Sequence, residues 1–128
     1  DWLAESRIEI DQARLLVLRT AWLLDQGSAS DAAATRAQVA AIKVVAARLQ
    51  TRVVDRAMQV FGAMGLSPDT PLAQFWSWGR ALHLMDGPDE VHLRSVARHE
   101  LAQARGRMGQ SSDWFTTPEQ MQAAPHVR

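Results

Sequence analysis

The sequence contains no cysteine. Disulfides, zinc sites built from thiolates and thiol catalysis are therefore excluded, and a reducing compartment is allowed. There is also no run of about 20 consecutive apolar residues, the length that a membrane-spanning helix requires. Lysine plus arginine and aspartate plus glutamate each number 14, so the formal net charge is zero. Because nucleic-acid-binding and membrane-surface proteins are normally basic, neither class is expected.

Sustained alternation of apolar and polar residues, the pattern of β-strands, is lacking as well. Helical periodicity occupies four segments instead, at about residues 1–25, 31–63, 71–85 and 88–109, the last ending near Gly106 or Gly109. The connections are short, so the sequence predicts an all-α fold, an up-and-down helical bundle. Residues 1–110 are expected to form the bundle and residues 111–128 a loose C-terminal tail.

The second segment is rich in alanine, which favours helix and close approach between helices. Its apolar residues recur at steps of three and four residues, which predicts one apolar stripe. The stripe consists of Val39, Ile42, Ala46, Leu49 and Val53. Ser30 or Asp31 is predicted to cap this helix. Thr70 is predicted as the N-cap of the third helix with Pro71 at its first position, and Pro88 is predicted to start the fourth.

The first segment has a helical pattern from its first residue, with no capping sequence ahead of Asp1. Helices normally begin after a recognisable capping residue. We therefore expect the chain to begin inside a structural element, as a piece of a longer protein would.

The densest group of ionisable side chains lies at the break before the fourth helix, in Asp86-Gly87-Pro88-Asp89-Glu90-Val91-His92. The glycine lets a ligand approach the backbone, and a carboxylate removed from water could act as a general base. Asp89 and Glu90 could equally be capping residues whose charge suits the helix dipole. Asp86 precedes the break and is harder to explain as a cap.

A second candidate is the stretch Gln59–Gly65, which carries two glycines at the end of the second helix. Such a turn can present backbone N–H groups to a phosphate. The same pattern is typical of an ordinary helix C-cap, so both interpretations stay open.

No metal site is expected. Di-iron bundles need a Glu-x-x-His pair from each of two helices, and Asp89 with His92 is a single approximate pair. The histidines at positions 83, 92 and 99 are expected to be surface or hydrogen-bonded groups. Of Trp76 and Trp78, which face differently on a helix, one is expected in the core and the other against a missing domain or subunit.

Several spaced motifs resemble the acyl-CoA dehydrogenase family. They are Ala13-Arg14-Leu15 followed by Arg19-Thr20-Ala21-Trp22-Leu23-Leu24-Asp25, then Ala41-Ile42-Lys43, then Arg56–Gly65, and finally Asp86–His92, which resembles the subgroup signature DGPDEVH. The match covers about residues 2–105 in the family's order and spacing. It implies the C-terminal helical domain of such an enzyme, without the first helix of its bundle.

The resemblance implies a full enzyme with an N-terminal helical domain, a middle β-barrel and this C-terminal bundle. Such an enzyme binds FAD, oxidises an acyl-CoA to the trans-2-enoyl-CoA, passes its electrons to a separate acceptor flavoprotein, and assembles as a homodimer or homotetramer. The alanine- and arginine-rich composition fits a bacterial cytoplasmic protein.

The resemblance also assigns roles to individual residues. Asp86 falls on the position of the family's catalytic glutamate, one methylene shorter, and is expected to take the α-proton. Pro88 falls where the family has a cofactor-contacting threonine, and Glu90 falls where family members contact the adenosine part of FAD. The segment that touches FAD, usually that of a neighbouring subunit, is matched by Gln59, Val60, Phe61, Gly62 and Ala63. Ala63 replaces a glycine of the family pattern.

The family's stretch that grips the FAD diphosphate would precede Trp2. The isolated chain is therefore expected to be inactive and to bind FAD poorly. The alternative hypothesis is a stand-alone helical oligomerisation or interaction module without catalysis. A longer open reading frame around this segment would favour the enzyme.

Overall fold

The computed structural model describes residues 1–26 and 32–107. Within them lie four α-helices and one 3₁₀ helix that directly follows the second of these. The α-helices are α1 (Trp2–Asp25), α2 (Ala32–Phe61), α3 (Leu72–Leu82) and α4 (Asp89–Gly106), and the 3₁₀ helix is Gly62–Leu66. No strand occurs in these residues, so the all-α prediction is confirmed. The cap predicted at Ser30 or Asp31 and the tail predicted at 111–128 lie outside the described residues.

Helix α2 is the centre of the fold. Helices α1, α3 and α4 and the 3₁₀ helix all pack against it, whereas in the described part of the chain α1, α3 and α4 make no helix-to-helix packing with one another. Two side chains at different positions along α2 can therefore hold different partner helices, and α2 is the scaffold for the site described below. None of the described helices combines the length and the hydropathy needed to cross a membrane.

The buried apolar face of α2 is built from small side chains at steps of three, four and seven residues. It consists of Ala37, Ala40, Val44, Ala47 and Val54. The predicted stripe is wrong in its register, since Val39 is 49% exposed and Ala46 is exposed too. An alanine-rich helix carries apolar residues on several faces, so the same spacing can be traced along more than one line. Small side chains occupy the buried line because they allow the partner helices to approach closely.

Two predicted helix starts are displaced by one residue. Pro71 is the N-cap of α3, while the Thr70 hydroxyl donates to the carbonyl oxygen of Met64 at 3.2 Å. Thr70 therefore fastens the turn to the 3₁₀ helix and does not cap α3. Pro88 is the N-cap of α4, with extended backbone at ψ 157°.

Glycine, not tryptophan, forms the contact of α3 with α2. Gly79 is buried, and a Cβ built on it would collide with the side chain of Gln50 and lie 3.0 Å from Thr51 Oγ1. Trp76 is 39% exposed and Trp78 56% exposed. The prediction that one of these two tryptophans lies in the core is therefore wrong, because α3 reaches α2 through its glycine.

Candidate functional site

The turn between α3 and α4 has unusual backbone geometry at its tip. Asp86 has φ 54° and Gly87 has φ 97°, so two successive residues are left-handed. This conformation is uncommon for residues with a Cβ, and aspartate is among those that tolerate it best. The side chain of Asp86 is exposed. The turn thus presents the predicted catalytic carboxylate on a strained, outward-facing tip.

The two ends of this turn are fastened to each other. The backbone N–H of Asp89 donates to the carbonyl oxygen of His83 at 3.2 Å. The side chains repeat the connection, because His83 Nδ1 lies 2.6 Å from Asp89 Oδ2. A carboxylate only accepts hydrogen bonds, so Nδ1 carries the proton in this pair.

Lys43 of α2 joins both ends of the turn to the scaffold. Its Nζ donates to Asp89 Oδ1 at 3.0 Å and to the carbonyl oxygen of His83 at 3.3 Å. We call Lys43, His83 and Asp89 the polar clamp. The Lys43 and Asp89 side chains are only 18% and 11% exposed, so water screens their attraction less than at a surface pair.

The surroundings keep Asp89 ionised. Burial raises the pKa of the Asp89 carboxyl, but the hydrogen bonds and positive charges of His83 and Lys43 outweigh it, and the pKa lies below its ordinary value of 3.8. Arg48 is a further cation, with Nε 3.8 Å from Asp89 Oδ2. On its other side, His83 Nε2 lies 3.2 Å from Thr51 Oγ1.

Only part of the capping interpretation of Asp89 and Glu90 is confirmed. Both lie in the first turn of α4, where negative charge suits the helix dipole, but the helix has no side-chain hydrogen bond at its N-cap. The Asp89 carboxylate is turned toward Lys43 and His83. Glu90 is exposed and lines an open cavity of about 330 Å³ together with Arg80, His83, Leu84 and Asp89.

His92, one turn into α4, reaches back to the tip of the turn. Its Nε2 lies 3.1 Å from the carbonyl oxygen of Asp86, and it must be the donor because a carbonyl oxygen only accepts. A Cβ built on Gly87 would lie 3.4 Å from the same nitrogen. The imidazole of His92 therefore covers Gly87 while it holds Asp86.

Sequence reasoning missed the clamp. It expected hydrogen-bonded or surface histidines at 83, 92 and 99, and each is hydrogen-bonded here. The motif Ala41-Ile42-Lys43 predicts no partner for Lys43, since Asp89 lies 46 residues further along the chain. A basic residue in an alanine-rich helix face was the one signal that could have drawn attention to it.

The other predicted cofactor segment, Gln59–Ala63, spans the end of α2 and the start of the 3₁₀ helix, and all five of its residues are exposed. Gly62 has φ 60°, and nothing lies within 4 Å of a Cβ built on it. Gly65, just beyond, crosses α2 so closely that a Cβ would lie 2.7 Å from the carbonyl oxygen of Met58. The segment is thus an open surface on a turn that Gly65 pins to α2.

The structure does not bring the two predicted sets of residues together. Asp86 and Pro88 lie in the clamped turn and Glu90 lies directly after it, in the first turn of α4. The anchors of the turn on α2 run from Lys43 to Thr51. Gln59 follows Thr51 by eight residues and Lys43 by sixteen, which corresponds to about 12 to 24 Å along the helix axis at about 1.5 Å per residue. The turn and the Gln59–Ala63 segment therefore lie at different levels of α2.

Among the described residues, no group of three or more histidine, aspartate or glutamate side chains is arranged to hold a metal ion. Asp89 and His92, the approximate Glu-x-x-His pair, each form hydrogen bonds to other residues. Asp89 bonds to Lys43 and His83, and His92 bonds to Asp86.

Comparison with known proteins identifies the family. Residues 1–101 match the model of the acyl-CoA dehydrogenase C-terminal domain. The chain therefore belongs to the acyl-CoA dehydrogenase family, and the part of the family that it matches is the C-terminal helical domain. The resemblance found in its motifs is confirmed at this level.

Individual relatives agree with this assignment. The chain is 54% identical over 103 residues to a Mycobacterium tuberculosis protein named as a probable acyl-CoA dehydrogenase, FadE2, and this match covers 80% of the chain and 25% of the relative. It is 54% identical over 99 residues to mouse acyl-CoA dehydrogenase family member 10, covering 77% of the chain and 9% of the relative. A solved structure from Mycobacterium abscessus, described as an acyl-CoA dehydrogenase, superposes with a TM-score of 0.75 at 48% identity, covering 80% of the chain and 25% of that structure.

The chain thus spans about a quarter of the length of the bacterial relatives it matches, or less for the mouse protein.

Proposed function

We propose that this chain is the C-terminal part of an FAD-dependent acyl-CoA dehydrogenase and that Asp86 is its catalytic base. The substrate is an acyl-CoA thioester and the product is the trans-2-enoyl-CoA. The observation that carries the proposal is the position of Asp86: its exposed carboxylate lies at the left-handed tip of a turn fastened at both ends. We also propose that the chain belongs to the subgroup with the DGPDEVH signature, which has an aspartate at the position of Asp86.

The chemistry assigned to this chain is one proton transfer. Asp86 takes the α-proton of the thioester, so the α C–H bond breaks and the proton ends on the carboxylate. FAD, when bound, accepts the β-hydrogen with its electron pair. The α-proton is weakly acidic, so the carboxylate must work where the rest of the enzyme excludes water. Electrons leave through a separate acceptor flavoprotein.

The predicted cofactor residues fit FAD to different degrees. Gln59 to Ala63 are exposed, and the space beside Gly62 is open to a bulky group. Glu90 is exposed beside an open cavity and can accept hydrogen bonds from hydroxyl groups of the adenosine part. Pro88 has neither a hydroxyl nor an N–H, so it can supply only van der Waals contact and its carbonyl oxygen.

The two sets of predicted cofactor residues lie at different levels of α2, which supports an arrangement in which two subunits contribute to each FAD site. Asp86, Pro88 and Glu90 would act on the FAD of their own subunit, and the Gln59–Ala63 segment would contact the FAD of a neighbour in a homodimer or homotetramer. Large apolar side chains exposed around this segment favour burial against a partner. They include Val60, Phe61, Met64 and Leu66. The 128-residue chain on its own would then be inactive.

The test uses the protein encoded by the complete reading frame around this segment. We expect it to purify with bound FAD and to lose the yellow absorbance of the flavin when an acyl-CoA is added without oxygen. The 128-residue chain prepared in parallel should show neither property. A complete frame no longer than this chain would contradict the proposal and favour an interaction module, as would a longer protein that fails to bind FAD.

A further inference from the structure

We propose that the polar clamp of Lys43, His83 and Asp89 positions the Asp86 carboxylate for proton transfer. The inference rests on the proposed function, because it concerns the same site. These residues would be positioning residues and not catalytic ones, since none of them is required to touch the substrate. Their action would pass through the backbone of the turn between α3 and α4.

The tip of the turn is strained. A left-handed residue with a Cβ persists only where its surroundings over-determine the conformation. Asp86 and Gly87 adopt two successive left-handed conformations. The direction of the Asp86 side chain depends on this φ, so any force that keeps the turn closed also aims the carboxylate.

The turn is closed at its base. His83 and Asp89 meet through a backbone hydrogen bond of 3.2 Å and a side-chain contact of 2.6 Å. Their side chains are only 20% and 11% exposed, so water competes weakly for these groups. The five residues between them, 84–88, form a loop whose ends cannot separate unless both contacts break.

Lys43 connects the turn to helix α2, the scaffold of the fold. Lys43 is bonded to the carbonyl oxygen at one end of the loop and to the carboxylate at the other. It projects from α2, the helix on which every other described helix packs. Lys43 therefore fixes the loop relative to the bundle, and through the bundle relative to whatever the bundle helps to hold.

Basic groups from two elements face Asp89 and favour this arrangement. Lys43 and Arg48 face it from α2, and His83 faces it from the end of α3. Glu90, the neighbour of Asp89 on α4, carries the same sign of charge and opposes it. Removing the negative charge at Asp89 would leave three basic groups without their common partner. The base of the loop would then be held by the backbone hydrogen bond between Asp89 and His83 alone, so the restraint on the tip would weaken while α3 and α4 stay in place on α2.

A purely structural role is the competing explanation, and the chain offers a matched control. Glu9 of α1 also accepts hydrogen bonds from two basic residues on another helix, Arg52 at 2.8 Å and Arg56 at 3.2 Å. The hydrogen bond from Arg52 is the largest effect that holds the pKa of Glu9 below its ordinary value. Glu9→Gln thus removes a comparable carboxylate from a helix that makes no described contact with α3 or α4.

The experiment compares Asp89→Asn, Lys43→Met and Glu9→Gln in the complete FAD-loaded enzyme. The readouts are the exchange rate of the substrate α-proton, the rate of flavin reduction at saturating acyl-CoA, KM and FAD content. We expect Asp89→Asn and Lys43→Met to slow proton exchange by about 10- to 100-fold, the size of a misplacement of about 1 Å, with KM and FAD content nearly unchanged. Lys43→Arg, which keeps the charge and the donors, should recover part of the rate, and Glu9→Gln should leave it unchanged.

The inference is overturned if the clamp variants exchange the α-proton as fast as Glu9→Gln does. If Asp89→Asn fails to retain FAD, Asp89→Glu is compared with Glu9→Asp, because both keep the charge and shift it by one methylene. Asp86→Asn distinguishes failure of the positioning role from failure of the proposed base. Loss of exchange in Asp86→Asn with normal clamp variants sinks the positioning role alone, whereas normal exchange in Asp86→Asn sinks the proposed base itself.

Discussion

His92 Nε2 lies 3.1 Å from the carbonyl oxygen of Asp86, so the first turns of α4 hold the residue that precedes the helix. This contact is independent of the polar clamp, which closes the base of the same turn. The turn is therefore fastened at both its base and its tip.

His92→Ala should loosen the tip and leave the base intact. We expect a loss of about 1 kcal/mol in the free energy of unfolding, the usual worth of one hydrogen bond. Amide hydrogen exchange should quicken at residues 84–87 and stay unchanged at Asp89, whose N–H is bonded to His83. His99→Ala, which removes an exposed contact to Gln103, is the control. If the amides of the turn between α3 and α4 exchange at the same rate in His92→Ala and His99→Ala, His92 does not restrain the turn.

Lys43→Met should destabilise the fold by more than a surface pair does. Breaking a fully buried ion pair costs about 3–5 kcal/mol. We expect about 2 kcal/mol here, because Lys43 and Asp89 keep 18% and 11% exposure and His83 still contacts the carboxylate. The control is Arg7→Met, which removes an exposed pair with Asp11 and should cost about 0.5 kcal/mol or less. Urea unfolding gives both values, and similar costs would contradict the clamp.

Stability should fall as the medium becomes acidic. Asp89 and Glu9 both have a pKa lowered in the folded protein, so the unfolded chain binds their protons first. Their contribution is complete above the ordinary carboxyl values of 3.8 and 4.5 and is lost as the pH falls through the lower folded values. Asp89→Asn with Glu9→Gln should flatten this part of the curve of Tm against pH. A double variant with the same acid dependence as the parent protein would show that other groups control it.

Gly65→Ala should damage the turn after α2. The added Cβ would lie 2.7 Å from the carbonyl oxygen and 2.9 Å from the Cα of Met58, which are backbone atoms and cannot swing aside. We expect a loss of about 1–3 kcal/mol, the range for overpacking. Gly106→Ala at the end of α4 meets nothing within 4 Å and should be neutral or slightly stabilising. Thermal unfolding of the two variants checks this, and equal Tm values would contradict the close approach of the turn to α2.

The sequence predicted the helices well because periodicity, proline and glycine are local signals. It predicted the buried face of α2 poorly, since alanine and valine surround that helix and only the packed partners decide which of them are covered. The prediction for Trp76 and Trp78 was wrong for a related reason. The contact of α3 with α2 is made at the buried Gly79, and a glycine gives no hydrophobic signal in the sequence.

For the candidate site, the sequence motif predicts a role for Asp86, and that role stays a prediction. The residues that hold the turn around Asp86 were not predicted. The pattern around Asp89 is a local signal and predicts a capping residue. The Asp89 carboxylate instead binds Lys43, a contact that only the tertiary fold creates. No sequence pattern predicts the hydrogen bond of His92 to the Asp86 backbone either.

The most direct test of the account is the exchange of the substrate α-proton in the complete enzyme carrying Asp86→Asn. The matched control is Asp55→Asn, an exposed carboxylate on α2. If Asp86 is the base, Asp86→Asn should keep its FAD and exchange the α-proton at least about 100-fold more slowly, the lower end of what general base catalysis contributes. Asp55→Asn should exchange at the normal rate. Normal exchange in Asp86→Asn would contradict the central claim and place the base on another residue.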